Sequence, residues 1–172
     1  AFFYHQKYTD AIADMTKSIE FFPNDVNSFY FRGLAYFKQR RSAEAAVDLN
    51  KCIEINPKAD NCYLYRGFNY IDTREYAKAI ADYDKALEID PKDNTPTINK
   101  SLAYLYMNDG DKAYEQAATY LELNGLKGSG PYAIVSGYLG LRKAKKNLGA
   151  EAFLDTWLAQ SSPTIFMTSV LK

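Results

Sequence analysis

The sequence predicts an all-α fold, a solenoid built from antiparallel helix pairs. Three observations carry that prediction. Pro23, Pro57 and Pro91 recur at one step of 34 residues, and Ala11, Ala45, Ala79 and Ala113 keep the same step. Phe2, Tyr36, Tyr70 and Tyr104 hold it with aromatic rings, and Arg32-Gly33 returns as Arg66-Gly67. Within each period the apolar and small residues fall at helical spacing, on two successive stretches of about a dozen residues.

Each full period reads as two helices and a stop. Over 26–59, Phe29, Arg32, Gly33 and Tyr36 share one face of a first helix; Ala45, Leu49 and Cys52 share a face of the second. Over 60–93 the same slots hold Tyr63, Arg66, Gly67 and Tyr70, then Ala79, Tyr83 and Ala86. Small residues mark places where helices approach closely, and rings fill the spaces between. The prolines end the second helices, since proline has no N–H and restricts the residue before it. Residues 94–127 form a divergent unit: Lys100-Ser101 replace Arg-Gly and Gly125 stands where proline is expected, while Tyr104, Ala113, Leu121 and Leu123 persist. A Gly-rich loop at 124–131 precedes a degenerate helix pair, 128–160. Its helices are expected at about 131–147, opened by Pro131, and 150–160, separated by Gly149; Val135, Tyr138, Leu139, Phe153, Leu154 and Trp157 form the expected core. Residues 161–172 begin a further helix, capped by Ser162, or form a tail. At the front, Phe2 takes the slot of Tyr36, so 1–25 reads as the second half of a unit, with its helix at 8–21 and its apolar start, Phe2 and Phe3, covered by another element.

On these residues the chain resembles the tetratricopeptide repeat family, in its period, its aromatic–small–aromatic first helix, its Ala–aromatic–small second helix and its closing proline. Arg40 and Arg74 depart from it at the inter-helix glycine. The resemblance implies a right-handed superhelical solenoid and a non-catalytic scaffold for protein–protein interaction. It also places the peptide-holding surface on the first helices, whose flank away from the core stripe presents Asn27, Tyr30, Phe31, Leu34 and Phe37, then Asn61, Leu64, Tyr65, Phe68 and Ile71, then Ile98, Asn99 and Leu102, with Thr95 and Leu105 beside them. These first helices are apolar on nearly all sides, unlike a helix that faces water. A subset of the family grips a C-terminal carboxylate with Lys, Asn and Arg. Tyr30, Leu34, Tyr65 and Asn99 stand there instead, so the expected ligand is an apolar or amphipathic protein segment, or a second copy of the chain in a self-assembling module. An accessory domain of a longer protein is the remaining alternative.

Charge and composition exclude other classes. Twenty-one basic and 21 acidic residues cancel, which gives a nucleic acid or an anionic membrane no field to follow. No apolar run is long enough to insert in a bilayer. His5, the single histidine, has no neighbouring nucleophile. The loop at 127–130 lacks the Gly-Lys-Ser/Thr ending of a phosphate loop, and no Ser/His/Asp set, metal cluster or cofactor fingerprint is present. Arg142, Lys143, Lys145 and Lys146 read as a solvated helix end, Asp48, Glu54, Asp82 and Glu88 as helix surface, and Cys52 and Cys62 as free core thiols. The location is open between the cytoplasm, which is favoured, and an exported one.

Overall fold

The structure, a computed structural model, describes residues 2–159, with only the backbone described for residues 2–5 and 158. The described residues form helices without strands: α1 (Phe2–Phe21), α2 (Val26–Lys38), α3 (Ser42–Ile55), α4 (Asp60–Asp72), α5 (Tyr76–Ile89), α6 (Thr95–Tyr106), α7 (Gly110–Asn124), α8 (Gly130–Lys143) and α9 (Asn147–Leu158). They fall into two compact units, Ala1–Lys92 and Asp93–Lys172, and in each the neighbouring helices pack as pairs. This is the all-α repeat solenoid expected.

Local chemistry repeats with the period. Four first helices end on one hydrogen-bonding device. Arg40 N–H donates to Phe37 and Arg41 N–H to Tyr36, and the same two bonds recur at Arg74 and Glu75, at Asn108 and Asp109, and at Lys145 and Lys146. The device needs a left-handed residue, and Arg40, Arg74, Asn108 and Lys145 take φ of 62°, 64°, 63° and 60°. A side chain there costs about 1–2 kcal/mol against glycine's freedom. Second helices end differently. Asn56 and Asp90 accept the N–H of Lys58 and Lys92 on their side-chain oxygens, at 3.0 Å each, so the Asn-Pro-Lys and Asp-Pro-Lys endings are side-chain-closed turns. Asp25 caps α2 through Ser28 N–H, and Asp109 caps α7 through Lys112 N–H.

In the first unit the helix pairs meet at glycine. A Cβ on Gly33 would stand 3.0 Å from Leu49 Cγ, and one on Gly67 would stand 2.5 Å from Tyr83 Cε1. Beside each glycine an arginine crosses to the second helix. Arg32 forks onto Asp48 at 2.7 and 2.8 Å, and Arg66 onto Asp82 at 2.8 and 2.7 Å. Each also reaches back to the preceding second helix, Arg32 to Thr16 at 3.1 Å and Arg66 to Asn50 at 2.7 Å. Rings close over the guanidinium groups: Phe29 over Arg32, Tyr63 and Tyr70 over Arg66.

Asp48 and Asp82 are therefore not helix surface. They are 2% and 5% exposed, and burial is tolerated because each carboxylate is matched by a bidentate partner. Glu54 and Glu88 do face water. Cys52 and Cys62 are not free thiols but form a disulfide, because the turn after α3 sets the end of α3 against the start of α4 with Cα atoms 6.3 Å apart.

The second unit uses smaller residues. A Cβ on Gly140 would stand 2.7 Å from the Gly110 carbonyl oxygen, and one on Gly137 would stand 2.7 Å from Phe153 Cζ. Ser101, in the slot of Gly33, places its hydroxyl 2.7 Å from the Ala113 carbonyl and 3.0 Å from the Ser136 hydroxyl. Three boundaries differ from expectation. Helix α8 stops at Lys143 because Lys145 takes the left-handed turn, and Gly149 lies inside α9 rather than before it. Helix α1 starts at Phe2 and runs through 5–7, the positions that align with the turn at 39–41; Gln6 and Lys7 are good helix formers. The expectations for the Phe2 and Phe3 side chains and for Ser162 lie outside the described residues.

The Gly67–Tyr83 contact leaves no room for a side chain. Gly67→Leu is expected to cost about 1–3 kcal/mol through overpacking, read as a lower Tm, and Gly33→Ala less, since Leu49 is easier to displace than an enclosed tyrosine ring. Equal Tm values for Gly67→Leu and the parent would contradict the packing described.

Candidate functional site: the apolar faces of the first helices

In the first unit, the flank of α2 and α4 opposite the arginine joints carries a connected run of rings. Tyr30 lies 4.9 Å from Phe31 and 5.7 Å from Tyr65 between centroids; Tyr65 lies 5.4 Å from Phe68, and Phe37 stands 6.3 Å from both Tyr65 and Phe68. Edge-on and stacked contacts of this kind favour each other by about 0.5–1.5 kcal/mol a pair. Phe68 also touches Tyr83, so the run is anchored in the core. Tyr30, Leu34, Phe37, Tyr65, Phe68 and Ile71 are half-buried, and Phe31 is 50% exposed. Asn27 and Asn61 face water at the start of their helices. Leu64 does not join this face. It takes the slot of Tyr30, but its shorter side chain stays in the core against Tyr83, Ala79 and Ala86.

Burial pushes the Tyr30 phenol up to about 12, helped by Tyr65 beside it and by Asp60. The neutral form is the one this face holds.

In the second unit, α6 and α8 enclose a groove of about 500 Å³. One wall is Thr95, Ile98, Asn99, Leu102 and Leu105; the other is Pro131, Tyr132, Val135, Ser136 and Leu139, with Ser129 at the end. None of these eleven side chains is charged. Asn99 donates its amide to the Thr95 carbonyl of its own helix, at 2.7 Å, so part of its capacity is already used. The loop end is fixed by Tyr120: its hydroxyl accepts from Ser129 N–H at 2.9 Å and donates to the Lys127 carbonyl at 3.3 Å. Gly125 and Gly128, both at positive φ, let the loop turn there.

The second wall was not expected. Helical spacing puts Val135 and Leu139 in the core, yet they are 38% and 44% exposed, and Ala133, Ile134, Gly137 and Gly140 are buried in their place. The small residues face inward because only they allow the close approach to α7. The register held a signal: the left-handed turns step by 37 residues from Asn108 to Lys145, and the same step carries Ile98 to Val135 and Leu102 to Leu139. The basic residues at the end of α8 are engaged locally, Arg142 with Glu151, Lys143 with Asn108 and Lys146 with Asp111.

Two sequence models described as tetratricopeptide repeat match the chain, over residues 1–60 and 61–93. The chain belongs to the tetratricopeptide repeat family. No curated protein matches the sequence. Among solved structures, this tetratricopeptide repeat chain is similar to MamA, with 20% identity, a TM-score of 0.80, and 88% of this chain and 87% of that one covered. It is also similar to a tetratricopeptide repeat protein from Parabacteroides merdae (18% identity, TM-score 0.72, 92% and 60% covered) and to the TPR2B domain of yeast Sti1, solved as a complex with pHsp70 (21%, 0.64, 69% and 97%). At these identities the likeness is one of fold. Among the described residues no helix is long and apolar enough to cross a membrane, and no group of three or more His, Cys, Asp or Glu could hold a metal ion. The tetratricopeptide repeat fold is a protein–protein interaction scaffold.

A raised phenol in the folded state means that stability is full below pH 10 and falls as pH rises through about 12. Burial pushes the Tyr83 phenol higher still, so titration followed by phenolate absorbance is expected to show a late step near pH 12 from Tyr30, lost in Tyr30→Phe, with Tyr83 titrating beyond it in both proteins. A Tyr30→Phe profile identical to the parent's would contradict the burial of that hydroxyl.

Proposed function

We propose that the chain is a non-catalytic scaffold that holds an apolar or amphipathic peptide segment of another protein, with the α6–α8 groove as its principal contact and the ring face of α2 and α4 as a second apolar surface. The observation that carries this reading is the absence of charge from the groove wall. A partner enters such a groove by burying apolar side chains, each worth roughly 1.5–3 kcal/mol when fully covered. An acidic tail has no cation to meet there and loses its hydration without return.

The groove runs between two helices of like direction, and its rim carries Thr95, Asn99 and Ser129, which offer hydrogen bonds at one end. Leu102, Val135 and Leu139 lie in the apolar stretch. An amphipathic helix with anchors at i, i+3 or i+4, and i+7 matches that layout. The yeast Sti1 domain shares the fold and was solved with pHsp70. The residues of this chain at the carboxylate-gripping slots, Tyr30, Leu34, Tyr65 and Asn99, support a different ligand chemistry.

Selection from a random peptide display library is expected to return sequences with apolar residues at helical spacing, bound with little dependence on salt. Leu102→Asp with Val135→Asp is expected to abolish that binding at unchanged helicity. Enrichment of acidic C-termini, or undiminished binding by the double variant, would contradict the proposal. A change in oligomeric state in the double variant would assign the groove to a second copy instead.

A further inference from the structure

We infer that this protein completes its fold in an oxidising compartment, because a sealed disulfide forms the joint between two of its repeats. Cys52 sits on α3 and Cys62 on α4, ten residues apart, and both are buried. They belong to one core cluster with Phe29 and Leu49, against which Ile53, Ile55, Ala59, Tyr30 and Tyr65 pack. Disulfides form and persist where the surroundings are oxidising and are rare in the reducing cytosol. Nothing in the repeat pattern calls for cysteine here: the slot of Cys62 is Ser28 in the preceding unit and Pro96 in the following one, and the slot of Cys52 is Ala86 in the following unit. The two thiols thus appear once, in the two slots that face each other.

The burial of both sulfurs dictates when the bond is made. A disulfide donor reaches them only while α3 and α4 are still open, so oxidation accompanies folding. The reaction is thiol–disulfide exchange with a disulfide-carrying protein of that compartment. The two thiols lose two protons and two electrons, a bond forms between the Cys52 and Cys62 sulfurs, and the donor's own S–S bond breaks to give a dithiol. Once closed, the bond is out of reach of exchange and acts as a staple. Tyr30 and Tyr65, members of the ring face, rest on the same cluster, so the staple also supports the apolar surface above it. The inference does not depend on which ligand that surface takes.

The test reads the thiols directly. The protein is recovered from the cells that naturally make it, lysed in iodoacetamide, unfolded without reductant and cut with trypsin. The expected product is one cross-linked species joining peptides 52–58 and 59–66, which separate only after reduction. Recovery of both peptides apart, each alkylated, would overturn the inference. In a second measurement, the parent unfolded and refolded in reductant is expected to melt several degrees below the oxidised parent, while a Cys52→Ala, Cys62→Val variant is unmoved by the same treatment. A parent Tm indifferent to reductant, with the thiols shown to be released, would overturn the stapling role.

Discussion

Arg32 and Arg66 each tie three helices into one joint, and the first unit is organised around those joints. Each guanidinium meets the carboxylate of its own pair's second helix through two bonds, a polar side chain of the preceding second helix through a third, and a ring of its own helix through its face. A partly buried charge is tolerated because a carboxylate matches it and three of the five N–H donors of each guanidinium are engaged. The glycine that follows each arginine lets the two helices close to the distance at which the fork can span them. Gly33 and Gly67 are thus half of the same device, and Leu49 and Tyr83 fill what the missing side chains leave.

The joints decide what is left over. With the arginine flank of α2 and α4 committed to neighbouring helices, the opposite flank carries Tyr30, Phe31, Phe37, Tyr65 and Phe68, and these rings cover each other without covering Phe31. The second unit has no arginine fork among its described residues. It gains closeness through Gly110, Gly137 and Gly140, where backbone and ring approach directly, and through the Ser101–Ser136 contact. Using the small face of α8 for that packing turns Val135 and Leu139 outward, which is how α6 and α8 come to share an uncharged groove. In both units the apolar surface follows from which helix face the core claimed.

Much of this is legible in the residues, and what is not has a physical cause. The period, the helix pairs and the close approach at Gly33 and Gly67 can be read because prolines, alanines, aromatic residues and Arg-Gly all keep one step. The groove positions Ile98, Asn99 and Leu102 follow from the same register. The burial of Asp48 and Asp82 does not follow from hydropathy, since a carboxylate looks like surface until its partner is placed; yet each lies sixteen residues after an arginine of the repeat, and both positions change together in the next unit, to Lys100 and Gln116. The disulfide depends on the geometry of one turn. Periodicity puts Val135, Leu139 and Leu64 on the wrong side, because their helices are apolar all round and spacing alone cannot say which stripe is claimed. For α8 the three-residue lengthening of the loop before it concealed the register as well.

The Arg66–Asp82 joint can be weighed by a double-mutant cycle on unfolding free energy, with Arg66→Met, Asp82→Leu and the pair. If the fork ties the helices, Asp82→Leu alone is expected to cost about 2–3 kcal/mol by leaving a partly buried guanidinium without its partner. The double variant is then expected to be at least about 1 kcal/mol more stable than the two single losses combined would make it. Single losses that simply combine, to within roughly 0.5 kcal/mol, would show that the two residues do not act as one joint.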